Sequence, residues 1–175
     1  NIKDNAFLIA FDQDDDALDN IVEDDKLVFV NANFRFLKNF VRYHGFDGVD
    51  AVLADLGVSS HQFDKQERGF SIRSDAHLDM RMNQNADLTA FKVVNQYSDK
   101  ELYRIFNTYA DLKNVGKVVP TILKARKYKP IQTTFDLVNV IGSLVKGKKQ
   151  NQFLAQIFQA IRIEVNDEMG ALEDM

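Results

Sequence analysis

A chain of 175 residues, 45% of them hydrophobic, can bury one full core or one domain carrying an insertion. It has no cysteine, which excludes disulfides, thiolate zinc centres and cysteine nucleophiles and fits a reducing compartment. The net charge of −4 hides an uneven distribution. Residues 1–25 hold nine carboxylates and one lysine. Between Ile105 and Gln150 only Asp111 and Asp136 face Lys113, Lys117, Lys124, Arg126, Lys127, Lys129, Lys146, Lys148 and Lys149. That basic segment has the sign expected for contacts to phosphates, although lysine-rich helix faces are more often plain solvated surface.

The N-terminus lacks the basic start and apolar core of a signal peptide. No apolar run approaches the roughly 20 residues that span a bilayer, so a soluble, cytoplasmic protein without membrane contact is expected. The histidines His44, His61 and His77 form no ligand-spaced pair, and no metal site is expected.

In chain order, Phe7–Phe11 reads as a buried strand ending at Asp12, and Asp14–Leu18 opens a helix with carboxylates at its positive end. Leu27–Val30 is the next strand, followed by Asn31 and Asn33. Leu37–Tyr43 is helical and leads through Gly45 to a third apolar run, Ala51–Ala54, stopped by Asp55. Alternation of strand and helix predicts a parallel sheet, and the polar residues at the strand ends fall where open α/β sheets bind ligands. An acid at the end of the second strand of a nucleotide-binding fold accepts ribose hydroxyls, a role that suits Asp12. Its glycine-rich turn then falls before residue 1, so the chain is expected to begin inside such a domain.

Lys65–Met82 is too polar for a strand and too glycine-marked for a helix. Its Arg68, Arg73, Arg81, Asp75 and Asp79 suit either internal pairs or a substrate. From Leu88 the pattern turns helical. Ser98–Glu101 is a capping box, helices are expected over Val115–Lys127 and Phe135–Val145, and Thr133 or Thr134 caps the latter after Pro130. A last helix runs from Phe153 to Glu173, with Ile157, Ile161 and Val165 on one face and Gln159, Arg162 and Asn166 on an adjoining polar stripe. These boundaries predict a partial α/β core over 1–87, a helical, basic insertion over 88–152, and a helix over 153–175 returning to the core.

Several ordered blocks carry a resemblance. Asp55–Gln62 with Phe63-Asp64, Glu67–Ser71, Leu78–Met82, Thr133-Thr134 and Phe158–Glu168 together resemble the ribosomal RNA small subunit methyltransferase H family, also called MraW, across essentially the whole chain. The resemblance implies a Rossmann-like class I methyltransferase core, here with an incomplete parallel sheet, carrying an inserted helical domain. It implies transfer of a methyl group from S-adenosyl-L-methionine to the N4 amine of a cytidine in 16S rRNA of the small ribosomal subunit. By position, Asp12 corresponds to the family's ribose-binding acid, Phe34 to a phenylalanine near the adenine, and Asp55 and Gln62 to cofactor contacts. The family's glycine-rich loop and a Phe-His-Ser-Leu-Glu-Asp segment have no counterpart here, and His61 stands where the family often has proline.

Methyl transfer from a sulfonium needs alignment above all, and an acceptor for the amine hydrogens to localise the N4 lone pair. Asp55 is the candidate for that catalytic role. Lys124, Arg126, Lys127, Arg162 and Asn166 are the candidate RNA-binding residues. Two other readings compete: a non-catalytic RNA-binding module on the same fold, favoured by the missing glycine loop, and a nicotinamide-dependent dehydrogenase, which shares the acid at Asp12 but not the later blocks.

Overall fold

The computed structural model describes residues 6–112 and 115–175, so Lys113 of the basic segment lies outside the described residues. The chain forms two compact units: 1–57 with 82–85 and 167–175, and 58–81 with 86–166.

In the first unit, β1 (Leu8–Asp12) and β2 (Leu27–Asn31) pair in parallel, in register from Leu8↔Leu27 to Asp12↔Asn31. Among the described residues this is the whole sheet. Helix α1 (Leu37–Tyr43) packs against it through Phe40, whose ring meets that of Phe11 edge-on at 5.8 Å. The helix ends on Gly45, at φ +84. The N–H of Phe46 donates to Val41 O (3.1 Å) and that of Gly45 to Arg42 O (2.9 Å), the paired bonds of a Schellman stop that favours glycine at the left-handed position. Helix α8 (Glu168–Asp174) belongs to the same unit. Arg35 ties the turn Phe34–Phe36 to it, donating Nη2 to Asp167 Oδ2 at 2.6 Å with Nε 3.2 Å from Asp174 Oδ2.

The third expected strand is not formed. Ala51–Asp55 has no ladder partner and is exposed, Leu53 at 98%. A strand satisfies its backbone only beside another strand, and among the described residues the sheet stops at β1 and β2. For the same reason β1 and β2 are half-covered rather than buried on both faces, with only Val30 sunk. The helix expected from Asp14 is a short 3₁₀ turn, Asp15–Asn20.

The second unit is helical. After the short α2 (Ser60–Asp64) come α3 (Ala90–Gln96), α4 (Asp99–Tyr109), α5 (Val115–Tyr128), α6 (Thr134–Ile141) and α7 (Gln150–Val165). The capping box at Ser98 forms as expected, with Ser98 N–H donating to Glu101 Oε2 at 2.7 Å and Glu101 N–H to Ser98 Oγ at 3.3 Å, and Thr133 caps α6 in the same way. α4 packs on α5 and α7, α5 on α6, and α3 on α7. Leu102, Ile105, Phe106, Val118, Ile122, Leu137, Ile157 and Ile161 all reach zero exposure between them. Each such side chain stabilises the unit by about 1.5–3 kcal/mol as an upper estimate. The apolar stripe expected on α7 is therefore its core face.

The returning helix breaks in two. Asp167 takes a left-handed backbone (φ +46), and Asn166 folds its amide back onto Arg162 O (2.9 Å) and Met80 O (2.8 Å), closing α7. The compact units also depart from the expected boundary at residue 88. Residues 58–81 join the helical unit because Phe70, Leu78 and Met80 are buried there, at 6%, 1% and 0% exposure.

The polar segment before α3 is held by its backbone. Leu78 N–H donates to Gln132 O (3.0 Å), Thr134 N–H to Ala76 O (2.8 Å), Ala90 N–H to Asp79 O (2.8 Å) and Phe91 N–H to Leu78 O (2.6 Å). Met80 sits at φ +60 with its N–H on Arg68 O (3.0 Å) and its carbonyl held by Asn166, so the surroundings impose a conformation that costs a non-glycine residue about 1–3 kcal/mol. Arg81 clamps Asp79 with Nε to Oδ1 at 2.8 Å and Nη2 to Oδ2 at 2.7 Å, and sends Nη1 to Ala86 O at 2.8 Å. Of the two uses expected for these charges, the internal pair is the one formed by Asp79 and Arg81.

Two outcomes follow from this segment. Gly69 lies at φ +72, and an added Cβ would stand 2.3 Å from His77 O. Gly69→Ala is expected to lower stability by about 2 kcal/mol or more, read by denaturant unfolding of the helical circular dichroism signal; a wild-type midpoint contradicts the packing described. Burial alone would raise the Asp79 carboxyl, but the hydrogen bonds and charge of Arg81 hold it below the ordinary carboxylate value. A depressed carboxyl contributes stability that is present above the unfolded value (~3.9) and is lost as pH falls through the folded one. Asp79→Asn should therefore be less stable than wild type near pH 7 by about 1–2 kcal/mol, a gap that closes on acidification below about pH 4; a gap independent of pH contradicts the clamp.

Candidate functional site

At the carboxyl end of β1 and β2 the chain gathers polar groups in register. Asp12 and Asn31 are directly paired across the two strands. Asp12 Oδ1 accepts the N–H of Asp14 at 2.9 Å, and the residue stays exposed at the sheet end. Asp14, 3% exposed, caps the following turn by accepting Asp16 N–H at 3.2 Å, so the capping role is filled without Asp12. Asn31 donates to Asp15 Oδ1 (2.8 Å) and Asn33 to Gln13 Oε1 (2.9 Å). Asn33 Oδ1 also accepts Arg35 N–H (3.0 Å), which starts the turn carrying Phe34. Desolvation raises the Asp12 carboxyl above its ordinary value, and the charge of Asp14 adds to this; the N–H groups of Asp14 and Gln13 offset part of the rise. The result is a strand-end rim with an exposed carboxylate at Asp12 and a partly exposed aromatic ring at Phe34, fixed in place by Asn33 and Arg35.

The other two expected cofactor residues stand differently. Asp55 lies in the exposed segment of the first unit, not at a strand end. Gln62 belongs to the second unit, is 6% exposed, and spends its side-chain carbonyl on the helix it sits in: Ser59 N–H donates to Gln62 Oε1 (3.1 Å) and Gln62 N–H to Ser59 Oγ (3.2 Å).

The second unit holds a cleft of about 560 Å³ between the end of α2, the segment 70–73 and one face of α7. Phe63, Phe70, Ile72, Met80 and Phe158 supply its apolar wall, and Asp64, Ser71, Arg73, Gln159 and Arg162 its polar one. Of the polar stripe on α7, Gln159 and Arg162 reach this cleft, whereas Asn166 is the closing residue of the helix. Sequence reasoning found Arg162, offered Arg73 either to an internal pair or to a substrate, and missed Phe63, Asp64, Phe70 and Phe158. The signal available was their alternation of aromatic and charged types in the blocks 63–73 and 158–162.

The basic helix resolves into two kinds of residue. Lys124 and Lys127 are exposed on α5. Arg126 is structural: its guanidinium donates to Val94 O (2.8 Å) and Tyr97 O (2.7 Å), satisfying carbonyls at the end of α3, and burial lowers its pKa. Glu164 on α7 accepts from both Tyr97 Oη, at 2.9 Å, and Arg104, which ties α7 to α4; burial, then this carboxylate, push the Tyr97 phenol up to about 12.

The model of the MraW methylase family matches residues 1–175. The ribosomal RNA small subunit methyltransferase H of Flavobacterium johnsoniae is 54% identical over 170 residues, covering 97% of this chain and 56% of that protein. Those of Phocaeicola vulgatus and Bacteroides thetaiotaomicron are each 52% identical, over 97% and 96% of the chain and 56% and 55% of their own lengths. The chain thus spans about half the length of the curated relatives it matches. With a match over every residue and more than half of the positions identical, the chain belongs to the MraW methylase family.

Proposed function

We propose that the protein is an S-adenosyl-L-methionine-dependent methyltransferase acting on the N4 amine of a cytidine in 16S rRNA of the small ribosomal subunit. The observation that carries the reading is the strand-end rim, where the exposed Asp12 closes β1 and the capped turn carrying Phe34 follows β2, within a family of methylases. In this reading the first unit is part of a Rossmann-like class I core and the helical unit is its inserted domain. Asp12 accepts the ribose hydroxyls, Phe34 lies against the adenine, and Asp55 is a further cofactor contact. The exposed state of Asp12 and the capped turn that presents Phe34 fit such a ligand.

When bound, the cofactor supplies an already activated methyl group. The chain's own work is to orient the amine in line with that group and to keep water away. Lys124 and Lys127 offer phosphate contacts on α5, and a base taken out of its stack reaches the site most readily from a single-stranded segment.

Calorimetric titration with S-adenosyl-L-methionine tests the cofactor half. Asp12→Ala should weaken binding by about 10- to 100-fold, the loss of a hydrogen bond to a charged group. Because only the ionised carboxyl accepts both hydroxyls, wild-type affinity should fall as pH is lowered through the raised Asp12 value, while Asp12→Asn shows a flatter profile. Incubation with tritiated cofactor and small subunits lacking the modification should yield N4-methylcytidine on nucleoside analysis. Absence of incorporation, or of any Asp12 effect on binding, overturns the reading.

A further inference from the structure

The turn Phe34–Phe36 is held at more points than three residues need. From the strand ends, Gln13 Nε2 donates to Met82 Sδ (3.5 Å), Asn33 Nδ2 to Gln13 Oε1 (2.9 Å) and Arg35 N–H to Asn33 Oδ1 (3.0 Å). A second hold comes from α8. Arg35 Nη2 donates to Asp167 Oδ2 at 2.6 Å, and Arg35 Nε lies 3.2 Å from Asp174 Oδ2, inside ion-pair range but off the direction of a hydrogen bond. Asp167 makes its contact from a left-handed backbone (φ +46), which residues other than glycine hold chiefly where the surroundings impose it. All of these residues belong to the first unit.

For stability this clamp does little. The side chains of Asp167 and Asp174 keep 66% and 62% of their surface exposed, and ion pairs so open to water contribute next to nothing. Its consequence is geometric. Consecutive side chains leave a 3₁₀ turn about 120° apart, so holding Arg35 on α8 fixes the rotation of the turn and with it the direction in which Phe34 leaves it. We propose that Arg35, gripped by Asp167 and Asp174, is a positioning residue for the cofactor: α8 sets the attitude of the Phe34 ring, and so the affinity for the adenine half of S-adenosyl-L-methionine. The proposal rests on the reading of Phe34 as the neighbour of the adenine. Arg35 acts through Phe34, whereas Asp12 meets the ribose on its own.

Calorimetric titration with S-adenosyl-L-methionine, arranged as double-mutant cycles, tests it. Arg35→Gln should weaken binding by about 3- to 10-fold, the size of effect expected of a residue that acts on a ligand without touching it. Asp167→Asn combined with Asp174→Asn should match that loss. Arg35→Lys, whose single ammonium replaces the two-pronged guanidinium, should recover part of it. In a Phe34→Ala background Arg35→Gln should change nothing further, whereas on Asp12→Ala its full effect should add. A residue that merely stabilised the fold would not distinguish those two backgrounds, and an unchanged circular dichroism signal and denaturant midpoint show that each variant folds. A second readout needs no cofactor: 4-fluorophenylalanine in place of Phe34 should give a single fluorine NMR line that shifts or broadens when Arg35→Gln is added. An Arg35→Gln variant that binds cofactor as wild type does, or that loses as much with Phe34→Ala as without it, overturns the assignment and leaves the cofactor reading in place. A displaced fluorine line together with binding indifferent to both Phe34→Ala and Asp12→Ala overturns the cofactor reading itself, and this proposal falls with it.

Discussion

The helical unit depends on one buried kink. Met80 is fully buried with a left-handed backbone, an arrangement that a side chain other than glycine adopts only under constraint. The constraint is visible on both sides. Its N–H donates to Arg68 O, and its carbonyl accepts the Asn166 amide from the end of α7. Arg68 returns a bond of its own, Nη2 to Arg81 O at 2.9 Å, and lies 5.8 Å from the Phe70 ring. Arg81 in turn grips Asp79 and Ala86. A segment with no helix or strand of its own is thereby fixed as firmly as an element, and it delivers Phe70 and Met80 to the cleft that α7 completes.

This explains why charged residues are dense in a loop that is not itself a charged surface. Arg68 and the Asp79–Arg81 pair are spent on backbone and on each other, while Arg73 remains available at the cleft. The same division runs through α5 and α7. Arg126 and Asn166 satisfy carbonyls at helix ends, and their neighbours Lys127 and Arg162 face solvent or the cleft. Charge alone does not separate the two kinds; the partner of each donor does.

Much of the fold was legible in the sequence, for identifiable physical reasons. The strands at 8–12 and 27–31, α1 and its stop at Gly45, and the caps at Ser98 and Thr133 depend on local patterns of apolarity, glycine and hydroxyl, and they form where those patterns place them. Asp12 was legible as a polar residue closing a strand, which is a local feature, whereas Phe34 was named through the family resemblance alone. What was not legible depends on distant partners. An apolar run at 51–54 reads as a strand but needs a neighbour to become one. The break at Asp167 follows from Asn166 reaching Met80, a bond between residues far apart in the chain. The cleft joins positions 63–73 to 155–162, and nothing in either block alone shows that they share an opening.

Hydrogen–deuterium exchange over residues 68–91 tests this account most directly, because it asks whether a segment lying mostly outside helices and strands, up to the first residues of α3, behaves as part of the core. The amides of Leu78, Met80, Ala90 and Phe91, each donated to a named carbonyl, should be protected to the degree of the buried turns of α4 and α7 and should lose protection together with them. Rapid exchange across this segment while α4 and α7 stay protected would contradict it, since a loop that opens freely cannot hold Met80 in the core or shape the cleft beside α7.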